Sequence, residues 1–405
     1  MEDFEKIAGS YNTVPESEIK ARIGRFQEIL RREGIDVVLI QQLIDRFYFT
    51  GSIQDGVVII PAAGDPRYLC RRSIERARRE TPLEVVPFKS FKEIPPALEA
   101  AGIPGRGRVG LELDVIPAAL YQRYLKLLPD VSLVDAGSLV REVRAVKSTY
   151  EIERIRTAGV QVDKVMELAA QCLHDGMREV DFASTLEKRA RELGHQGILR
   201  MRGFNQELFY GHIITGEHSA LMSHIDAPSG GMGVNPSIAQ GAGFRAIRKG
   251  EPVSVDFVGC VEGYLIDQTR LMVMGSLAVE LVQGFVQARA IQDAVVAAAA
   301  PGVTWGSLYE TAGREAENLG VSDRFMGPPG EQVRFVGHGV GLEVDEFPFL
   351  APRFEQVLIP GMVFALEPKI FHPGKGITGI EDTFLVTDNG LERLTVTPRE
   401  IIALP

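Results

Sequence analysis

Residues 253–270 read VSVDFVGCVEGYLIDQTR, two apolar strand-like runs, each carrying one aspartate and joined through Gly259 and Gly263. Glycines flanking such a junction mark a hairpin turn, so the two runs are expected to pair antiparallel. A tight turn over residues 260–263 places Asp256 roughly opposite Asp267. Two carboxylates facing each other across a strand pair, about 5 Å apart, repel unless a cation lies between them. Both sit within strongly apolar strands, where a merely solvated acid is out of place. A metal ion is the expected partner.

Working outward, three more ligand-type side chains follow in the last third of the chain. His338 lies in FVGHGVGLE, where glycines let backbone approach closely and leave the imidazole unobstructed. Glu367 in MVFALEPKI and Glu381 in GITGIEDTFLV each interrupt an apolar run, a costly position for an unpaired carboxylate. Asp256, Asp267, His338, Glu367 and Glu381 form an oxygen-rich set with one imidazole, which suits Mn²⁺, Co²⁺, Fe²⁺ or Zn²⁺. A pair of such ions is the machinery of hydrolysis.

The amino-terminal part has a different texture. Ile19, Ile23, Phe26, Ile29 and Leu30 form a helical stripe over residues 19–32, stopped by Gly34. IDVVLI (35–40), GVVII (56–60), LEVVPF (83–88), RVGLEL (108–113) and VSLVDA (131–136) read as strands. Strands alternating with helices predict an α/β domain over residues 1–147, with the boundary near Lys147. A second domain, 148–405, opens on a long helix bearing Ile152, Ile155, Val162, Val165 and Leu168 on one face. Within it, residues 174–194 align without gaps on 300–320, with Gly176/Gly302, Thr185/Thr311, Ala190/Ala316, Leu193/Leu319 and Gly194/Gly320 identical. Both read as glycine turn, helix, glycine stop, and predict two related halves packed about a pseudo-twofold axis.

With 405 residues, 45% of them hydrophobic, the chain can bury one large core or two moderate ones. A net charge of −10 argues against nucleic-acid or anionic-membrane partners. No apolar run approaches the roughly 20 residues that span a bilayer. The acidic start MEDFEKIAGS lacks the pattern of an export signal. Cys70, Cys172 and Cys260 form neither a paired framework nor a zinc cluster, so a reducing cytoplasm is the expected compartment.

The strings VDFVGCVEGYLIDQTR, GHGVGLEVDEFP, GMVFALEP and GIEDTFLVTDNG, in this order and spacing, resemble those of the pita-bread metallopeptidases. That family contains Xaa-Pro aminopeptidase, prolidase and methionine aminopeptidase. YFTG (48–51) and VKSTYEIERIR (146–156) are similar to the amino-terminal domain of its Xaa-Pro branch. The resemblance implies an α/β (α+β) chain: a creatinase-like domain followed by a pita-bread catalytic domain. It implies two divalent ions bridged by Asp267 and Glu381, with Asp256 on one and His338 with Glu367 on the other. A hydroxide between the ions then attacks an Xaa-Pro bond and Glu367 serves as general base. His224, in GEHSALMSH, matches the family histidine near the substrate, with His218 as a rival. The expected substrate is a peptide or small amide, and the expected assembly a homodimer.

Three departures bear on substrate. Asp345 stands where the Xaa-Pro enzymes carry a second catalytic histidine; an ionised aspartate cannot donate to a developing oxyanion, so as a catalytic candidate it would serve protonated or against a cationic or hydroxylated substrate. Gly379 stands where that branch usually has arginine, removing a guanidinium fork. The glycine-rich stretch 227–251 is long for the family, and reads as a solvated loop or as an active-site rim in which Arg245 or Arg248 restores the missing charge. A small-molecule amide hydrolase on the same fold is the alternative activity. A silent binding module is a third reading, which five intact ligands disfavour.

Overall fold

The structure, a computed structural model, describes residues 11–103 and 105–405; the segment MEDFEKIAGS lies outside the described residues. The chain divides into two compact units, one ending at Val143 and the other running Arg144–Pro405.

The first unit is built on one mixed sheet. Its strands are β1 (Val37–Ile40), β2 (Gly56–Pro61), β3 (Arg67–Cys70), β4 (Glu84–Pro87), β5 (Arg108–Leu111) and β6 (Ser132–Asp135), in the order β4-β3-β2-β1-β5-β6. All five expected strands form. The sequence reading passed over β3, whose RYLC is short and follows a Gly-Asp-Pro loop. The helix Glu16–Glu33 buries Ile19, Ile23, Phe26 and Leu30, and ends at Gly34 in the left-handed region (φ 64°), where glycine is unstrained.

The second unit opens on the helix Thr149–Cys172. The Ser148 side chain accepts from the Glu151 N–H while the Glu151 carboxylate accepts from the Ser148 N–H, a capping box that fixes this start. Ile155, Val162 and Val165 are buried as expected, whereas Ile152 and Leu168 are half-buried. The repeat is present in the backbone: helices Glu179–Glu192 and Trp305–Asn318 are each 14 residues long and stand at the same offset from their glycines. Gly176 and Gly302 have φ of 82° and 87°, and Gly194 and Gly320 have 93° and 68°.

The strands repeat the same order twice. In the first half, β7 (Ile213–Thr215), β8 (Val253–Asp256), the hairpin of β9 (Gly259–Val261) with β10 (Tyr264–Ile266), and β11 (Thr269–Met274) follow one another. In the second, β12 (Gly337–Val340) leads through β13 (Val344–Leu350) to β14 (Val363–Leu366). The hairpin of β15 (Lys369–His372) with β16 (Gly376–Gly379) then precedes β17 (Asp382–Thr387) and β18 (Gly390–Arg393). With β19 (Ile402–Leu404), the two main sheets run β19-β11-β8-β7 and β13-β12-β14-β17-β18. A bridge between Thr269 and Glu381 joins β11 to the start of β17. Trp305, Leu308, Phe364, Leu366, Ile370 and Phe384 form part of the main core against β14 and β17. Among the described residues no helix is long and apolar enough to cross a membrane.

Candidate metal centre

The repeat places the acids in equivalent positions. Asp256 closes β8 and Glu367 follows β14; Asp267 precedes β11 and Glu381 precedes β17. The hairpin register differs from expectation. Its turn is only two residues, Glu262 (φ 51°) and Gly263 (φ 89°), so Val261 pairs with Tyr264 and Asp256 faces Thr269, not Asp267. Both central residues take positive φ, the tight-turn geometry that suits strand twist. Asp267 is instead held from the other half: its N–H donates to Thr383 Oγ1 (3.0 Å), and that hydroxyl donates to the Asp267 carbonyl (2.8 Å). Reciprocally, Thr269 Oγ1 donates to Glu381 Oε2 at 2.7 Å. Buried Arg270 donates to the Glu381 carbonyl (2.7 Å) and to Asp382 (2.6 Å), fixing the backbone there.

These restraints bring four side chains to one point. His338 Nε2 lies 3.6 Å from Glu367 Oε1, 3.8 Å from Glu381 Oε1 and 4.0 Å from Asp267 Oδ2. Donor atoms bonded at about 2.0–2.2 Å to a shared ion lie about 3–4 Å apart, which is the spacing seen. Asp267, His338 and Glu381 offer ligand atoms all within 4.8 Å of one another, and all three residues are buried. Glu381 Oε1 is buried without a hydrogen-bond partner, an acceptor with nothing to accept from. Burial, and then the charge of Asp256, push the Asp267 carboxyl up to about 7. Burial, Asp267 and Glu367 likewise raise Glu381. Burial opposes a charged His338, but Asp345, Glu367 and Asp267 outweigh it and raise its pKa. A divalent ion answers all of these at once, so the donor set fits one at this point.

The Asp256 side of the cluster is different. Lys369, at the start of β15, is 2% exposed, and its Nζ donates to Asp256 Oδ2 (2.9 Å) and Glu367 Oε2 (2.8 Å). Glu381 Oε2 is 3.8 Å from the same nitrogen. Burial would lower its pKa, but Asp256, Glu367 and Glu381 outweigh burial and hold the ammonium well above the ordinary value. Sequence reasoning missed this residue, although a signal existed: in an extended segment positions 367 and 369 share a face, and both interrupt the apolar run MVFALEPKIF.

Lys369 also accounts for Gly379. The two are cross-strand partners in the β15–β16 hairpin. A Cβ on Gly379 would lie 2.6 Å from Lys369 Cγ and 2.9 Å from the Pro368 carbonyl. The positive charge absent from position 379 is therefore carried on the facing strand, not by the glycine-rich stretch. Arg245 pairs with Glu251 (2.7 Å), and Arg248 is exposed; neither is the replacement that the sequence suggested.

A cavity opens over the cluster, lined by Asp256, Asp267, His338, Asp345, Glu367, Lys369 and Glu381, with His212 and the segment Ile225–Pro228 in its wall. The stretch 227–251 is a built rim in its inner part. Glu179 accepts from Thr215 N–H (2.9 Å) and Gly243 N–H (3.0 Å), and Pro228, Ser229, Gln240 and Gly241 are buried. His212, also missed from sequence, is buried with Nε2 3.2 Å from Gln240 Oε1; burial lowers its pKa and keeps it neutral. An irregularity in the β12–β13 ladder falls at Asp345, between Val344 and Glu346, where φ is 68°. Its Oδ1 lies 3.6 Å from His338 Nδ1, the ring nitrogen that faces away from the other acids. His224 is exposed at the rim beside Ile225, its Nδ1 3.3 Å from Ser223 Oγ, and the structure does not bring it to the cluster. His218 lies in the short turn Gly216–Ala220, outside the cavity lining.

Comparisons with known proteins agree with this architecture. The model of metallopeptidase family M24 matches residues 153–388, and that of the creatinase/prolidase N-terminal domain matches residues 22–146. An Xaa-Pro dipeptidase of Pyrococcus furiosus is 29% identical over 389 residues, covering 95% of this chain and all of that one. The crystal structure of the prolidase from Pyrococcus horikoshii superposes with a TM-score of 0.79 at 27% identity, covering 94% of this chain and all of the other. An Xaa-Pro dipeptidase from Bacillus anthracis does so with a TM-score of 0.81 at 26% identity, covering 95% and 100%.

Proposed function

The chain belongs to metallopeptidase family M24, in its pita-bread, prolidase-like branch, and from that premise we propose that it hydrolyses Xaa-Pro bonds in short peptides. The observation that carries the reading is the convergence of Asp267, Glu367 and Glu381 on His338 Nε2 beneath an open cavity. A divalent ion bound there supplies Lewis acidity to a substrate carbonyl and to water. The two-ion arrangement that the resemblance implies adds Asp256 as a further ligand.

The chain's own groups take the remaining roles. Glu367 is the proton acceptor: Lys369 holds its Oε2, leaving Oε1 towards the cluster to take a proton from water and pass it to the leaving nitrogen. The Gly339 carbonyl (3.4 Å) accepts from the His338 Nδ1–H form, and Asp345, 3.6 Å from the same nitrogen, adds its charge behind the ring, so Nε2 is presented as a ligand. His224, at the rim, is assigned to substrate contact on the resemblance. Three free thiols fit a reducing cytoplasm, and a homodimer follows from the resemblance alone.

Asp345, Gly379 and Lys369 together support a second reading, a small-molecule amide hydrolase on the same fold. A screen of Xaa-Pro dipeptides, Xaa-Pro-Yaa tripeptides and non-proline amides, with Mn²⁺ or Co²⁺ and then with chelator, separates the two. Turnover confined to non-proline amides would reject proline specificity; turnover unaffected by chelator would reject the metal.

A further inference from the structure

We infer that each chain holds a single divalent ion, at Asp267, His338 and Glu381, and that the Lys369 ammonium stands in the place of a second cation between Asp256 and Glu367. The inference rests on the metallopeptidase reading and deepens it. Asp256 Oδ2 and Glu367 Oε2 are each already bonded to Nζ, at 2.9 and 2.8 Å. A lysine head is a compact point charge with three donors, so it can serve two carboxylates as an ion does, but it has no open position for water.

The lysine is built in. Its side chain is buried, it leaves the same strand face as Glu367, and its stem passes over Gly379, where any larger residue would collide. The lack of a side chain at 379 and the buried ammonium at 369 thus depend on one another within a single hairpin. An ion close to Asp256 would have to share that carboxylate with a fixed positive charge, and the two cations repel. The three-residue group at His338 meets this conflict less directly: Nζ is 3.8 Å from Glu381 Oε2, against 2.9 Å from Asp256, and Glu381 Oε1 has no hydrogen-bond partner. Asp256 is therefore a partner of Lys369 and not a metal ligand.

The test is a count of ions. Full-length protein, stripped with chelator and re-equilibrated with micromolar Mn²⁺, is measured by native mass spectrometry and by elemental analysis. The expected count is one ion per chain in the wild type, one in Asp256→Asn, and two in Lys369→Ala. Two ions in the wild type would overturn the inference while leaving the metallopeptidase reading intact. No ion at all would overturn both. A count that drops to zero in Asp256→Asn would make Asp256 a ligand and refute the assignment, and a count that stays at one in Lys369→Ala would refute the role given to Lys369. Should the lysine variant not fold, the wild-type and Asp256→Asn counts still decide.

Discussion

Raising the pH should weaken the metal-stripped protein through Asp267, and the structure gives both the direction and the size. Burial and Asp256 lift its carboxyl from an ordinary 3.8 to about 7 in the folded state. The folded protein therefore holds this proton more tightly than the unfolded chain. The associated stability is fully present below about pH 4, falls as pH rises through the window from about 4 to 7, and is gone above it. A shift of about three units is worth on the order of 4 kcal/mol at 1.36 kcal/mol per unit. Urea unfolding of chelated wild type and Asp267→Asn, at about pH 4 and about pH 8, reads the contribution together with the part of the Glu381 and His338 shifts that Asp267 causes, because the amide cannot titrate. The wild type should lose on the order of 4 kcal/mol more than the variant across that interval, and Mn²⁺ should restore most of it by replacing the proton. A difference between the two proteins that is flat, or that grows in favour of the wild type with rising pH, would show that Asp267 is not a carboxyl starved of positive charge.

Other outcomes follow from neighbouring groups. Glu367→Gln keeps the shape of the site but removes the proton acceptor, and kcat on any substrate found should fall by about 10²–10⁴ with the protein still folded by circular dichroism. Asp345→Asn should weaken metal binding by about 10–100-fold, read by competition with a fluorescent chelator, because His338 loses the carboxylate behind its ring. Arg144 donates to Glu343 (2.8 Å) and Glu346 (2.5 Å), all three buried, so Arg144→Met should cost about 3–5 kcal/mol in denaturant unfolding. Burial opposes the Glu346 charge, but Arg144 and Lys147 outweigh it and hold the carboxyl at about 2. The wild type should thus lose this support as pH falls from about 4.5 towards 2, and the variant should not.

Much of this was legible in the chain. The alternation of apolar runs with helical stripes gave the α/β class, and the aligned glycines gave the two halves because left-handed turns need them. Four of the five proposed ligands, Asp267, His338, Glu367 and Glu381, lie together; the acids stood out as polar interruptions of apolar runs and His338 by its flanking glycines. The register of the Asp256 hairpin did not come out, since turn length decides it and Gly259 and Gly263 are compatible with either length. Lys369 was hidden for a different reason. A lysine in a strand is ordinarily a surface residue, and only the cross-strand glycine, ten positions away in sequence, shows that its stem has somewhere to go.

The exchange of threonines between the halves has a consequence for when the site comes into being. Gln268 N–H of its own half donates to the Asp267 carboxylate, but the Asp267 backbone is tied to Thr383 and the Glu381 carboxylate to Thr269, so each acid is set in part by the half that does not encode it. A chain still being synthesised carries Asp256 and Asp267 long before it carries Glu381. Until the second half has docked, those acids lack the Thr383 and Lys369 contacts that fix them in the finished site. A complete ligand group, which draws Asp267 from the first half and His338 and Glu381 from the second, therefore forms only once both halves are made and docked.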